Sequence, residues 1–296
     1  MSLLMDELLA LRAERAGGIA WEYYFDFGAA QAPWVSGMAQ GTALQALARA
    51  AERLGRQADV LPIASAGLGI FETRAPTGVR VRSGSGSHYL LYSGDRRLRV
   101  FNGFVQALSG LDEYATLAAD PRARGLYTDG RRALASEIRA SDTGAWSLYS
   151  LGRVSAESSL SYHQLVTGLL ESLCARTGDG LYCDTHTRFA GYLTQPPELR
   201  VTTPRLRAGR PGFVGFRLSK KSTVSVSLSR GGRVVLQRNL GALGYGRRSL
   251  AVTPPRGAGD YTVELTATDL AGNPGATRAE VEVLPARRSR RDRDRD

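Results

Sequence analysis

Thr194-Gln195-Pro196-Pro197 marks the point where the apolar period of this chain changes, and the fold reads outward from it. Upstream, apolar residues recur at helical spacing. Leu44, Leu47, Ala51 and Leu54 form a stripe that ends at Gly55, as glycine just past a helix end should. Leu3, Leu4, Leu8 and Leu11 form another, expected to run to Gly17-Gly18, and Phe104, Ala107, Leu108, Leu111 and Ala115 a third. Pro121 suits the first turn of the next helix, and Leu165, Leu169 and Leu173 continue the pattern. Trp21–Phe27, Gly78–Tyr92 and Gly144–Leu151 read as strands or ordered loops between helices. Downstream the period becomes two. Phe213–Leu218, Val224–Leu228, Val234–Leu236, Tyr261–Leu265 and Ala279–Val283 are short strands, and Arg230-Gly231-Gly232-Arg233 is a tight hairpin turn. The expected division is residues 1–195, then 196–285, then a disordered Arg/Asp tail over 286–296.

Charge follows the same division. The chain has 296 residues and a formal charge of +11, net zero over 1–195, +8 over 196–285 and +3 in the tail. Lys220 and Lys221 are its lysines; every other base is arginine. A polyanion partner or a genomic bias toward arginine codons both give this picture. The basic stretch lacks interleaved aromatics, so nucleic acid is not an expected partner. No apolar run is long enough for a membrane-spanning helix. The first residues, with Asp6 and Glu7 directly behind Leu3-Leu4-Met5, do not read as a secretory signal.

Three stretches of the first part together resemble the C-terminal catalytic domain of D-glucuronyl C5-epimerases, over roughly residues 21–193. Pro33-Trp34-Val35-Ser36-Gly37-Met38-Ala39-Gln40-Gly41 is similar to the family's proline/tryptophan turn and the helix start that follows it. Tyr89-Leu90-Leu91-Tyr92, with Asn102-Gly103-Phe104 behind it, looks like the tyrosine-rich strand and the helix after it. Asp142-Thr143-Gly144, Leu148-Tyr149-Ser150-Leu151 and Ser161-Tyr162-His163 resemble the third block. The resemblance implies a multidomain α + β protein whose first part is a partial α/α toroid of helical hairpins. It implies inversion at C5 of glucuronate within an acidic polysaccharide, giving iduronate. By match, Tyr92 and Tyr162 are the acid/base pair, and Tyr149 completes the catalytic set. His163, Asn102, Trp34, Gln40 and Arg153 are the implied substrate ligands. The chemistry needs one group to take the C5 proton and another to return one on the opposite face. No cofactor and no metal is implied.

The sequence departs from the family pattern twice. Leu91 stands where an acidic residue usually precedes the tyrosine, and Gly152 where an arginine usually follows Tyr149 by three. The family also has a region ahead of this domain, whereas here at most one helix precedes the match. These departures keep two other readings open: a polysaccharide-binding or cell-surface protein without activity, and a uronate lyase.

Each residue also has a plainer reading. The tyrosines could be half-buried packing residues with wet hydroxyls. Asn102-Gly103 could cap the next helix. Trp21–Phe27 reads first as a strand packed beneath helices, with a sugar-stacking strip as the alternative. Cys174 and Cys183 enclose a loop that can close as a disulfide or leave two buried thiols, and Cys183, Asp184 and His186 lack a fourth ligand for zinc.

In the second part, Gly259-Asp260-Tyr261-Thr262-Val263-Glu264-Leu265-Thr266-Ala267-Thr268-Asp269 resembles the last hairpin of bacterial immunoglobulin-like modules. The strand count and turn spacing agree with such a sandwich. The expected partner is a uronate polysaccharide, the expected location extracytoplasmic or secreted, and a homodimer is the candidate assembly.

Overall fold

The computed structural model describes residues 2–286. The fold is mixed α + β and divides into two compact units, Met1–Asp142 with Ser147–Ala190, and Thr143–Trp146 with Gly191–Asp296. All but Ala286 of the tail expected to be disordered lies outside the described residues.

The first unit opens with α1 (Ser2–Ala10), the hairpin β1 (Ala13–Arg15) and β2 (Gly18–Ala20), then β3 (Glu22–Tyr23), which pairs with β4 (Trp34–Val35). The first helix stops well short of Gly17, because Ala16 and Gly17 take the positive φ angles that turn the β1–β2 hairpin. Leu3, Leu4 and Leu11 of the expected stripe are exposed and Leu8 is half-buried; the buried residues are Met5 and Leu9, which lie outside it. Next come α2 (Gly37–Leu54), α3 (Gln57–Ala66) and the single turn α4 (Gly69–Glu72). Ser36 caps α2, its hydroxyl accepting the Ala39 N–H, and Gly55 closes the helix at φ 66°. The Gly/Ser run Ser83–Ser87 turns the hairpin of β5 (Arg80–Ser83) and β6 (Gly86–Tyr89).

The strand β7 (Leu98–Val100) leads into α5 (Phe101–Leu117), and α6 (Pro121–Ser141) follows, with Asp120 as its N-cap and Pro121 in its first turn. The strand β8 (Ser150–Gly152) pairs back on β7. Last come α7 (Leu160–Thr177) and α8 (Gly180–Tyr192), joined by the disulfide Cys174–Cys183. Of the two readings of those cysteines, the structure takes the bridge, so Cys183 has no thiolate to offer a metal. The helix α5 is the spine, packing on α2, α6 and α7. Small residues make that possible: a Cβ at Gly41 would sit 2.9 Å from Ala107, and one at Gly110 would overlap the Gly41 backbone.

The second unit holds β9 (Leu199–Val201), β10 (Arg205–Arg207), β11 (Gly212–Leu218), β12 (Ser222–Arg230), β13 (Arg233–Leu243), β14 (Gly246–Val252), β15 (Gly259–Asp269) and β16 (Pro274–Leu284). They form a five-stranded sheet, β10-β16-β15-β12-β13, and a three-stranded sheet, β14-β11-β9. The period-two pattern sends Val214, Phe216 and Leu218 of one sheet, and Val224, Val226, Val263, Leu265 and Val281 of the other, into one core. Arg230 pairs with Arg233 across Gly231-Gly232, both at positive φ, as a two-residue hairpin requires.

The boundary falls at Ala190/Gly191 rather than at Pro196. Lys220 explains the shift. Its ammonium is buried, pairs with Asp269 at 2.8 Å, donates to the carbonyls of Tyr192 and Gln195, and lies 5.4 Å from the Trp146 ring centroid. Asn273 adds a hydrogen bond to the Leu193 carbonyl. These contacts tie residues 192–195 and Trp146 to the sandwich strands. Among the described residues no helix is long and apolar enough to cross a membrane.

Candidate functional site

Tyr149, Tyr92 and Tyr162 come together from three separate segments of the first unit. Tyr149 lies just before β8, held by the Phe101 N–H, which donates to its carbonyl at 2.9 Å, and by its own N–H on the Ala156 carbonyl at 2.7 Å. Tyr162 lies in the first turn of α7, where the Ser159 cap accepts its N–H. Tyr92 begins a turn closed by the Asp95 N–H on its carbonyl. The Tyr149 and Tyr162 ring centroids are 4.8 Å apart. Tyr149 is central: both Tyr92 and Tyr162 lie close enough to act on its hydroxyl. Burial first, and then these two neighbours, push its pKa above the ordinary tyrosine value. Tyr149 is therefore a neutral phenol at any physiological pH, while Tyr162 is 43% exposed and reachable from solvent.

An aromatic strip leads up to this cluster. Phe27 stacks on Tyr92 with centroids 5.0 Å apart, and Trp34 lies 5.7 Å from the same ring. Trp34 stacks in turn on Tyr23 at 4.3 Å and meets Phe25 edge-on, and its indole N–H donates to the Phe25 carbonyl. Trp34 itself is buried and holds the strip from beneath, whereas Tyr24, Phe25 and Phe27 are all more than half exposed. This corrects the expectation of a strand packed under helices. Only Glu22–Tyr23 is strand, and Phe25 and Phe27 present apolar rings to water.

The other expected ligands separate. Arg153 stands at the edge of the cluster, its guanidinium 3.0 Å from the Asp95 carboxylate in the turn that Tyr92 begins. Asn102 does not cap α5, whose N-cap is Val100 with no side-chain cap. Its Oδ1 is buried without a hydrogen-bond partner, next in the chain to the residue that holds Tyr149. Gln40 and His163 are structural. Gln40 is fully buried, its amide donating to the Trp21 carbonyl and accepting the Trp21 N–H. His163 is equally buried. Its Nε2 donates to the Phe189 carbonyl at 2.9 Å, and Nδ1 lies 2.8 Å from the Ser147 hydroxyl. Neither nitrogen remains for a substrate.

Both departures from the tyrosine-block pattern are built into the packing. Leu91 is buried, and its side chain covers the space a Cβ at Gly103 would need. Gly152 has φ 98°, and a Cβ there would overlap the Arg97 carbonyl oxygen. No arginine fits at that position.

The D-glucuronyl C5-epimerase C-terminus family matches residues 16–191. No curated protein matches the chain. Among solved structures, cellobiose 2-epimerase from Spirochaeta thermophila DSM 6192 is similar at 14% identity and a TM-score of 0.42, covering 64% of this chain and 52% of its own. CopC from Methylosinus trichosporium OB3b is similar at 18% identity and a TM-score of 0.24, over 31% of this chain and 99% of its own.

Proposed function

Through residues 16–191 the chain belongs to the D-glucuronyl C5-epimerase C-terminus family, and from that premise we propose that it inverts C5 of D-glucuronate residues in an acidic polysaccharide, forming L-iduronate. The observation that carries this reading is the gathering of Tyr92, Tyr149 and Tyr162 from three segments, with Tyr149 close to both of the others.

The C5 proton is weakly acidic because the carbanion delocalises into the adjacent carboxylate. The reaction requires one flanking tyrosine to enter as the base; its phenolate oxygen takes that proton, and the C–H electron pair moves into the carboxylate. The neutral tyrosine on the opposite face then gives its proton to C5, and the electron pair returns to form the new C–H bond. Substrate and product hold the same atoms, but the two tyrosines have exchanged protonation states. Tyr149 resets them by accepting a proton from one neighbour while passing its own to the other. A relay must keep its own proton until that moment, which is what a raised pKa provides. Arg153 is the cation of this reading that meets the substrate carboxylate, and developing charge there is stabilised by such a donor. The unpartnered Asn102 Oδ1 is an acceptor for a sugar hydroxyl. Phe27 and Phe25 suit the apolar faces of pyranose rings on either side of the reacting residue.

On this reading the first unit is part of an α/α toroid and the second an immunoglobulin-like module, the latter supported by two sheets around one core. The disulfide supports an extracytoplasmic location.

The test is incubation with heparosan and other glucuronate polymers in deuterated water, read by NMR. Deuterium at C5 with iduronate appearing supports the epimerase. Binding without any exchange would leave a non-catalytic binding protein, and an unsaturated, ultraviolet-absorbing product would make it a lyase.

A further inference from the structure

Three arginines stand side by side on the outward face of the three-stranded sheet. Arg217 of β11 is in register with Arg247 of β14 on one side and Arg200 of β9 on the other. Their neighbours in sequence, Phe216, Leu218 and Leu199, turn into the core, so the three guanidinium stems share the opposite face, and all three are exposed. Directly opposed like charges on one sheet face repel and cost stability. Two arginines of the same unit do meet acids, in Arg205–Glu282 and Arg278–Glu264. Among the described residues none of these three forms an ion pair. They border a cleft of about 1170 Å³ in which Glu198 is the one acid, and it pairs with none of them. Phe213, two residues before Gly215 on β11, projects from the same sheet face and is 66% exposed.

We infer that this face is a second binding surface for the acidic polysaccharide, with the outer Arg200 and Arg247 receiving the carboxylates of successive uronates, Arg217 between them reaching either, and Phe213 receiving a sugar face. The substrate class rests on the proposed function; the existence of an anion surface rests on the arginine row itself. The geometry fits a linear polyanion. Adjacent strands lie about 4.8 Å apart, so the row spans about 10 Å, comparable with a disaccharide repeat. Guanidinium forks pair with carboxylates in bidentate fashion. A single aromatic residue gives no platform for successive nucleobases, which disfavours single-stranded nucleic acid. Such a surface would hold the polymer while the tyrosine cluster works on one residue of it.

The test compares the intact protein with R200Q/R217Q/R247Q and with R210Q/R233Q/R256Q, which removes the same charge from exposed arginines elsewhere on the unit. Circular dichroism checks that each folds. Binding to immobilised heparosan is measured across a salt series. The row variant is expected to bind about tenfold or more weakly, with a log–log salt slope reduced by about three, one per lost contact, and the control variant to lose far less. Equal losses in both variants would overturn the inference, leaving net charge as the cause. Preferential binding of duplex DNA through the same row would also overturn it. C5 exchange by the unaltered protein on a short glucuronate oligosaccharide separates the two readings. Exchange with an unimportant row sinks this inference alone. Row-dependent binding without exchange sinks the proposed function alone.

Discussion

Gly152 lies with its α-carbon against the carbonyl oxygen of Arg97, at a φ of 98° that only glycine adopts without strain. The missing family arginine is therefore not a position waiting to be refilled. Gly152→Ala should lower stability by about 1–3 kcal/mol, read by urea denaturation, and Gly152→Arg should fail to raise the rate of C5 exchange. A faster G152R enzyme would show that Arg153 does not occupy the role assigned to it.

Tyr149 separates a relay from a direct acid or base. Tyr149→Phe should retain the fold and a first turnover, because the flanking tyrosines remain. Its steady-state rate should fall by about 10²–10⁴-fold, the usual contribution of a positioned proton donor. Tyr162→Phe should lose the first turnover as well. Rapid-quench measurement of deuterium incorporation distinguishes them; a normal steady state in Tyr149→Phe would remove the resetting step.

The strip formed by Phe25, Phe27 and Trp34 should act on affinity. Phe27→Ala removes a ring that stacks on Tyr92 and is half exposed. The expected loss of about 0.5–1.5 kcal/mol would appear mainly as a higher KM for the polymer. A variant whose kcat falls while KM stays fixed would instead mean that Phe27 positions Tyr92.

Lys220 and Asp269 form a pair whose side chains are both almost wholly buried. Burial alone would raise the Asp269 pKa, but the Lys220 and Asn273 hydrogen bonds outweigh it and hold the carboxyl below its ordinary value. A carboxyl depressed in the folded state stabilises above its unfolded pKa of about 3.9, and that contribution vanishes as pH falls through the folded value. The second unit should therefore lose stability below about pH 4. Lys220→Met should cost about 3–5 kcal/mol at neutral pH by stranding the carboxylate, and should flatten that acid dependence. Urea midpoints measured at several pH values in both proteins give the answer.

Removing the disulfide tests a local staple. C174S/C183S should unfold with about 2–4 kcal/mol less stability, and treatment of the natural protein with reductant should have the same effect. If reductant changes nothing, the link between α7 and α8 contributes nothing under those conditions.

The legible parts of the sequence were those set by local rules. Gly55 ends its helix, Pro121 starts one, and Gly231-Gly232 turns a hairpin, because each depends on φ angles or caps within a few residues. The tyrosine block was legible through family resemblance, and the structure gathers Tyr92, Tyr149 and Tyr162. Gln40 and His163 carried the same resemblance, yet they satisfy Trp21 and the Phe189 carbonyl inside the core. Those partners lie 19 and 26 residues away, and periodicity carries no record of such pairings. The aromatic strip was misjudged for a related reason. Alternation along Trp21–Phe27 predicts a buried face, but only two of those residues are strand, and while Trp21 is buried, residues 24–27 turn outward.

The buried state of Lys220 also has a practical side. The chain has two lysines, and Lys221, its neighbour, is the one that faces solvent. Apart from the terminal amine, an acylating dye or an activated ester resin has one side chain to react with. Coupling would occur at a defined place on the sandwich, in the second unit. A fluorophore or a tether installed there would leave the side chains of Tyr92, Tyr149 and Tyr162 chemically unaltered.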